Sequence, residues 1–184
     1  LFVELCPAWY KGYHKQYTGT SCFFSIGHIR LVGMAAVCYA AYMIYDFHTH
    51  TFLSDGELSP LELIRRAVVA GYRAIGITDH AGPGEVERFI AEVSRDCALA
   101  QRYWDIAAIP GVELTHLPPE AISEVACYAR DMGARLVVVH GETTAEPVEP
   151  GTNAAALASP FVDILAHPGL LTEEEAGLAQ QNGV

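Results

Sequence analysis

The stretch YDFHTHTFLSDGE, residues 45 to 57, sets His48 and His50 one residue apart where a short apolar run ends, with Asp55 five residues further on. Imidazoles and carboxylates gathered this closely suggest divalent-cation chemistry. The pattern recurs along the chain: Asp79 and His80 close GITDH, Glu113 lies in PGVELTH, His140 ends VVVH and His167 lies in ILAHPG. A single histidine at the end of a strand is more often a hydrogen-bonded structural residue than a ligand. Five such histidines together with Glu113 and Asp79, all at the C-terminal ends of predicted strands, read instead as a metal site. The set suits Zn, Mn, Fe or Ni, and the absence of cysteine from these positions argues against a closed structural zinc site. One ion needs fewer ligands than this, so two or three divalent ions are expected, with Glu113 as the candidate bridge.

Successive side chains on a strand point to opposite faces, so both imidazoles of H-x-H reach one ion only if the strand ends or bulges there. Thr49 and Thr51 permit that. Asp55 sits in the turn signal SDG and is read either as an Asx-turn or as a site residue, with the site reading preferred. His116, three residues after Glu113, is expected beside the ligands, and Glu142 is placed beside them or in solvent. His14 and His28 are assigned no role.

These residues need a scaffold, and from Met43 onward short β-branched runs alternate with amphipathic stretches. Strands are predicted at 43–48, 73–80, 106–114, 135–140 and 162–169. Helices are predicted at 59–71, from about 85 to 103, from about 118 to 133, briefly at 154–158, and at 172–183. Ser59 with Pro60 and Glu62 reads as a helix start with a capping box, and Thr172 with Glu175 as a second. The run RLVVVH suggests a strand covered on both faces. Strand alternating with helix five times over implies a parallel sheet with helical crossovers, hence a barrel or an open doubly wound sheet, whose sites assemble at the C-terminal ends of the strands.

The 184 residues, 51% of them apolar, are enough for one sizeable core. A formal charge of −11 repels phosphate backbones and anionic lipid, which argues against nucleic acid and against a membrane as partners; the oligomeric state is unassigned. Five cysteines without a C-x-x-C pair point to a reducing cytoplasm. The chain shows no G-x-S-x-G elbow, phosphate loop or dinucleotide turn, which weakens serine hydrolase, P-loop and dehydrogenase readings. Residues 1–42 differ in composition: they hold both lysines, three of the five cysteines and no aspartate. They read as upstream sequence or a non-native extension with Met43 the natural start, ahead of a membrane anchor or an ordinary packed extension.

The motifs FHTHTFLSDGELSP, GITDHAG, PGVELTH, VVHGET and ILAHPG, in that order, resemble the PHP (polymerase and histidinol phosphatase) superfamily, and especially its stand-alone histidinol-phosphatase-like members. The resemblance covers residues 43–184. It implies a distorted seven-stranded (β/α)7 TIM-like barrel with two or three ions, Zn, Mn or Fe, at its C-terminal mouth, hydrolysing a phosphate monoester of a small phosphorylated metabolite. It assigns one ion to His48, His50 and Glu113, a second to Glu113, His140 and His167, and a third to His80, with Asp55 as a catalytic or ligating carboxylate. Asp79 would orient a neighbour or assist proton transfer. The family's late Asp-x-His does not follow His167, so the resemblance reads the barrel as incomplete at its C-terminus and leaves the activity of this chain open. Two alternatives carry over, a phosphodiesterase acting on nucleotides and an inactive barrel fragment. An amidohydrolase-type barrel ranks lower, because that family often bridges its metals with a lysine and residues 16–184 contain none.

Overall fold

The computed structural model describes residues 43–184; the expected N-terminal extension, residues 1–42 with His14 and His28, lies outside the described residues. Six strands run parallel in one mixed α/β sheet that curls into a half-barrel: β1 (Ile44–Asp46), β2 (Tyr72–Ile77), β3 (His80–Ala81), β4 (Ala107–Leu114), β5 (Leu136–His140) and β6 (Ile164–Ala166). Their order is β1-β2-β4-β5-β6, with β3 pairing β4 beyond the end of β2. Helices α1 (Pro60–Val69), α2 (Val86–Tyr103), α3 (Ile122–Asp131), α4 (Thr152–Ala158) and α5 (Glu173–Asn182) follow the strands, and a short 3-10 turn, Pro119–Ala121, leads into α3. No helix among the described residues is long and apolar enough to cross a membrane.

Period-two alternation sorts β4 into two faces. Val112 and Leu114 join the core beneath the helices, with Val86, Phe89 and Ile90 of α2, Ile122, Val125, Ala126 and Ala129 of α3, and Val137 and Val139 of β5. Ile109, Gly111 and Glu113 therefore share the inner face, where Leu136, Val138 and Ala166 form a small apolar floor with Ile109 and Ile164. A second outer cluster seals α1 and α2 against β2 through Ile64, Ala67, Ile75, Ile77, Val93 and Cys97. Every residue of β5 is buried, in keeping with its continuous apolar run.

Two sequence expectations are corrected in detail. The single predicted strand at 73–80 is broken at Thr78 and Asp79. There the Thr78 N–H donates to the Thr49 carbonyl (2.8 Å), while Glu113 N–H donates to the Asp79 carbonyl (3.0 Å), so the ladder continues toward β4 but turns toward a loop on the other side. The capping box at α1 is half made. Ser59 accepts from Glu62 N–H, but the Glu62 carboxylate is taken by Arg66 at 2.7 Å. The box at α5 is complete, with Thr172 and Glu175 each accepting from the other's backbone.

Candidate metal centre

The site is built on the segment that follows β1. That strand ends at Asp46, which releases His48 and His50 from strand alternation. Thr49 pins the segment to the neighbouring strand: its N–H donates to Thr78 Oγ1 (3.1 Å) and its hydroxyl to the Gly76 carbonyl (2.5 Å). Asp79, almost fully buried, then holds the loop that follows. Its Oδ1 accepts from Thr51 N–H (2.7 Å), Ser54 N–H (3.2 Å) and the Ser54 hydroxyl (2.8 Å), and its Oδ2 from the Thr51 hydroxyl (2.9 Å). All four contacts go to the 51–54 loop, so of the two tasks expected of Asp79 the geometry supports orientation. Gly56 closes the same loop from above. A Cβ on it would run into the His50 carbonyl and stand 2.8 Å from Thr51 Cα, so only glycine lets the chain pass this close.

Glu113 lies at the centre of the assembly, on the inner face of β4 with no exposed surface. His48 Nε2 is 3.0 Å and His50 Nε2 3.3 Å from Glu113 Oε2, and His80 Nδ1 is 3.1 Å from the same oxygen. His167 Nε2 is 3.5 Å from Glu113 Oε1. Three groups have one ligand atom from each member within 4.8 Å of the others: His48, His50 and Glu113; His50, Asp55 and His80; and Glu113, His140 and His167. Neighbouring imidazole rings lie 4.4 to 5.6 Å apart from His50 through His80 and His140 to His167. Asp55 spans the rim, Oδ1 at 3.3 Å from His50 Nδ1 and Oδ2 at 3.8 Å from His80 Nε2.

Several features fit divalent cations. Glu113 Oε1 and His50 Nδ1 are buried and meet their charged neighbours only at long range, His167 Nε2 at 3.5 Å and Asp55 Oδ1 at 3.3 Å, which leaves room for a shared ion at each. The Nε2 atoms of His48 and His50 face each other at 3.0 Å, a distance that suits two donors converging on one centre. Burial alone would raise the Glu113 carboxyl, but the imidazoles of His167 and His48, with the charge of His80, hold it well below the usual carboxylate range. Burial pushes His50 below its ordinary value against the pull of Glu113, which favours the neutral ring that metal binding requires. These groups could hold metal ions.

The remaining sequence candidates lie around this centre. Glu142 faces the base of α4, where its Oε1 accepts from Gly151 N–H (2.9 Å) and Asn153 N–H (3.0 Å). His116 stands at the outer rim, its ring 6.2 Å from that of His140. His116 and His167 both have left-handed backbones, φ 55° and 33°, a conformation that side-chain-bearing residues seldom adopt and that concentrates at functional sites. Glu146 was not singled out by the sequence. It stands 3.3 Å from His140 Nε2 and 3.7 Å from His116 Nε2, and the three glutamates of loop 141–153 carry no period that would distinguish one from the others.

A family model described as PHP domain matches residues 46–159. An uncharacterized protein of Methanocaldococcus jannaschii is 51% identical over 143 residues, which make up 77% of this chain and 66% of that protein. The 5'-3' exoribonuclease Rnm of Salmonella typhimurium is 40% identical over 73 residues, 40% of this chain and 23% of the enzyme. The DNA polymerase/3'-5' exonuclease PolX of Bacillus subtilis is 29% identical over 140 residues, 72% of this chain and 25% of the enzyme. The chain thus spans less than two thirds of the length of each of these relatives. The family match begins at Asp46, takes in His48 through His140, and covers more than half of the sequence: the chain belongs to the PHP family.

Proposed function

We propose that this chain carries a metal-dependent phosphoesterase centre of the PHP type, acting on a phosphate monoester of a small phosphorylated metabolite. The observation that carries the reading is Glu113, a fully buried carboxylate set among imidazoles from the ends of four other strands or strand paths, with nitrogens of His48, His50 and His80 at 3.0 to 3.3 Å from one oxygen and His167 Nε2 at 3.5 Å from the other. His48, His50 and Glu113 would hold one ion, Glu113, His140 and His167 another, and His80 with Asp55 and His50 a third, whether the metal is Zn, Mn or Fe. Ions held there would acidify a water for attack and neutralise charge on the phosphoryl oxygens. The chain's own residues do the positioning: Asp79 fixes the loop that presents His50, and Gly56 keeps that loop against its backbone. A cleft of about 560 Å³ opens beside the cluster, lined among others by Asp55, His80, Arg88, Thr115 and His116, and is large enough for a small ester.

In this reading the half-barrel is part of a distorted seven-stranded barrel, and residues 43–184 form the hydrolase domain. Cleavage of a phosphodiester in a nucleotide is the second reading, supported by the two nuclease relatives and opposed by the net charge of −11. The test is to load the purified chain with Mn²⁺ or Zn²⁺ and compare histidinol phosphate with a dinucleotide. Faster release of inorganic phosphate from the monoester, abolished by a chelator, is the expected result. A rate indifferent to chelator would overturn the centre, and preference for the dinucleotide would select the second reading.

A further inference from the structure

Two carboxylates that line the cleft, Glu85 and Glu146, belong to none of the three ligand groups; Glu85 is exposed and accepts from Gly82 N–H at 3.1 Å, whereas Glu146 stands beside His140. Glu146 sits on a loop whose two ends are tied together: Glu142 N–H donates to Asn153 Oδ1 (2.9 Å), and Glu142 Oε1 accepts from the backbone of Gly151 and Asn153. Within the loop, Glu146 N–H donates to Thr143 Oγ1 (3.1 Å) and the Glu146 carbonyl accepts from Val148 N–H (2.9 Å). The side chain is therefore delivered by a restrained turn.

Its partner atom is informative. His140 Nδ1 donates to the Gly141 carbonyl at 3.0 Å, which leaves Nε2 as the ring atom turned to the mouth. Glu146 Oε2 stands 3.3 Å from that Nε2. A separation of 3.3 Å is that of two adjacent ligand atoms on one ion, so a cation held by Glu113, His140 and His167 has the Glu146 carboxylate within reach. His116 Nε2, just past the end of β4 on a left-handed backbone, lies 3.7 Å from the same Glu146 oxygen.

We infer that Glu146 is a further ligand to the ion held by Glu113, His140 and His167, carried across the mouth by loop 141–151 as a strap, with His116 fixing the orientation of its carboxylate. The inference rests on the metal-centre reading and adds a ligand from outside the strand ends. Binding of this ion then orders the loop, and the loop sets how far the cleft beside His80 is covered.

The test is calorimetric titration of Mn²⁺ and of Zn²⁺ into the metal-stripped 184-residue chain, its Glu146→Gln variant and a Glu149→Gln control with the same charge change in the same loop. Hydrogen exchange of the loop amides is followed in parallel. Glu146→Gln should weaken one ion by roughly tenfold or more, leave the others in place, and abolish the slowing of loop exchange that metal produces in the parent, while Glu149→Gln behaves as the parent. His116→Gln should weaken the same ion to a lesser degree. Glu146 is half exposed, so the stripped variant should melt with the stripped parent, which separates ligation from folding. Equal affinities and equal metal-dependent exchange in Glu146→Gln and the parent would overturn the strap alone. A parent that binds no ion would overturn the metal centre with it.

Discussion

Glu113 illustrates how much of this site rests on one side chain. Its strand neighbours Val112 and Leu114 pack outward beneath helices, so strand alternation drives the carboxylate inward, onto a floor of Leu136, Val138 and Ala166. A buried carboxylate is costly unless charge is brought to it, and here imidazoles bring it from several directions. Glu113→Gln keeps the shape and removes the charge. The expected outcome is a folded protein, by circular dichroism, that retains less than half of the parent's metal by elemental analysis after dialysis. Full metal content in Glu113→Gln would show that the carboxylate is not shared between ions. At this scale the sequence was informative about identity and less so about task. Histidines at strand ends stand out because the strands before them are legible as apolar runs. Orientation was one of the two tasks the resemblance implied for Asp79, but the groups it clamps were hidden, since its four donors come from Thr51 and Ser54, far away in sequence. Glu146 was hidden because a loop has no period to mark which side chain turns inward.

At the scale of elements, all five expected strands and all five helices are present, because hydrophobic periodicity and caps are local signals. The departures arise where tertiary partners compete. The strand expected at 73–80 breaks because Thr49 and Thr51 take up the groups of Thr78 and Asp79 that would otherwise face β1. The α1 cap loses its reciprocal half because Arg66, four residues on, offers Glu62 a charged partner. This asymmetry gives a measurable difference. Ser59→Ala should cost about 1 kcal/mol in urea unfolding. Glu62→Ala, losing only an exposed i,i+4 pair, should cost no more than about 0.5 kcal/mol. Equal losses would mean that the box closes in solution. The 54–56 turn behaves differently, because it touches the site. Gly56→Ala places a methyl against the His50 and Thr51 backbone, and is expected to cost about 1–3 kcal/mol and to lower metal affinity along with stability.

For the whole molecule, the centre lies where β1, β3, β4, β5 and β6 all end, so anything that binds it joins segments distant in sequence. Without an ion, the apolar contacts beneath the helices must hold together a mouth that gathers Glu113, Asp55 and five imidazoles, within a chain whose net charge is −11. The unfolded chain has no such convergence and should bind metal far more weakly. Linkage then requires that metal stabilise the fold by RT ln(1 + [M]/Kd), about 2.7 kcal/mol at a free concentration one hundred times Kd. For a folded unit of this size that corresponds to a rise of roughly 5–10 °C in Tm. Differential scanning calorimetry with increasing Mn²⁺ or Zn²⁺ should show Tm climbing with the logarithm of concentration and returning on addition of chelator. Glu113→Gln should flatten that slope more than Glu146→Gln does, because one removes a carboxylate common to two ligand groups and the other a carboxylate at the rim of one. A Tm independent of metal would mean that the folded and unfolded chains bind it equally, and the convergence at the mouth would then have some other cause.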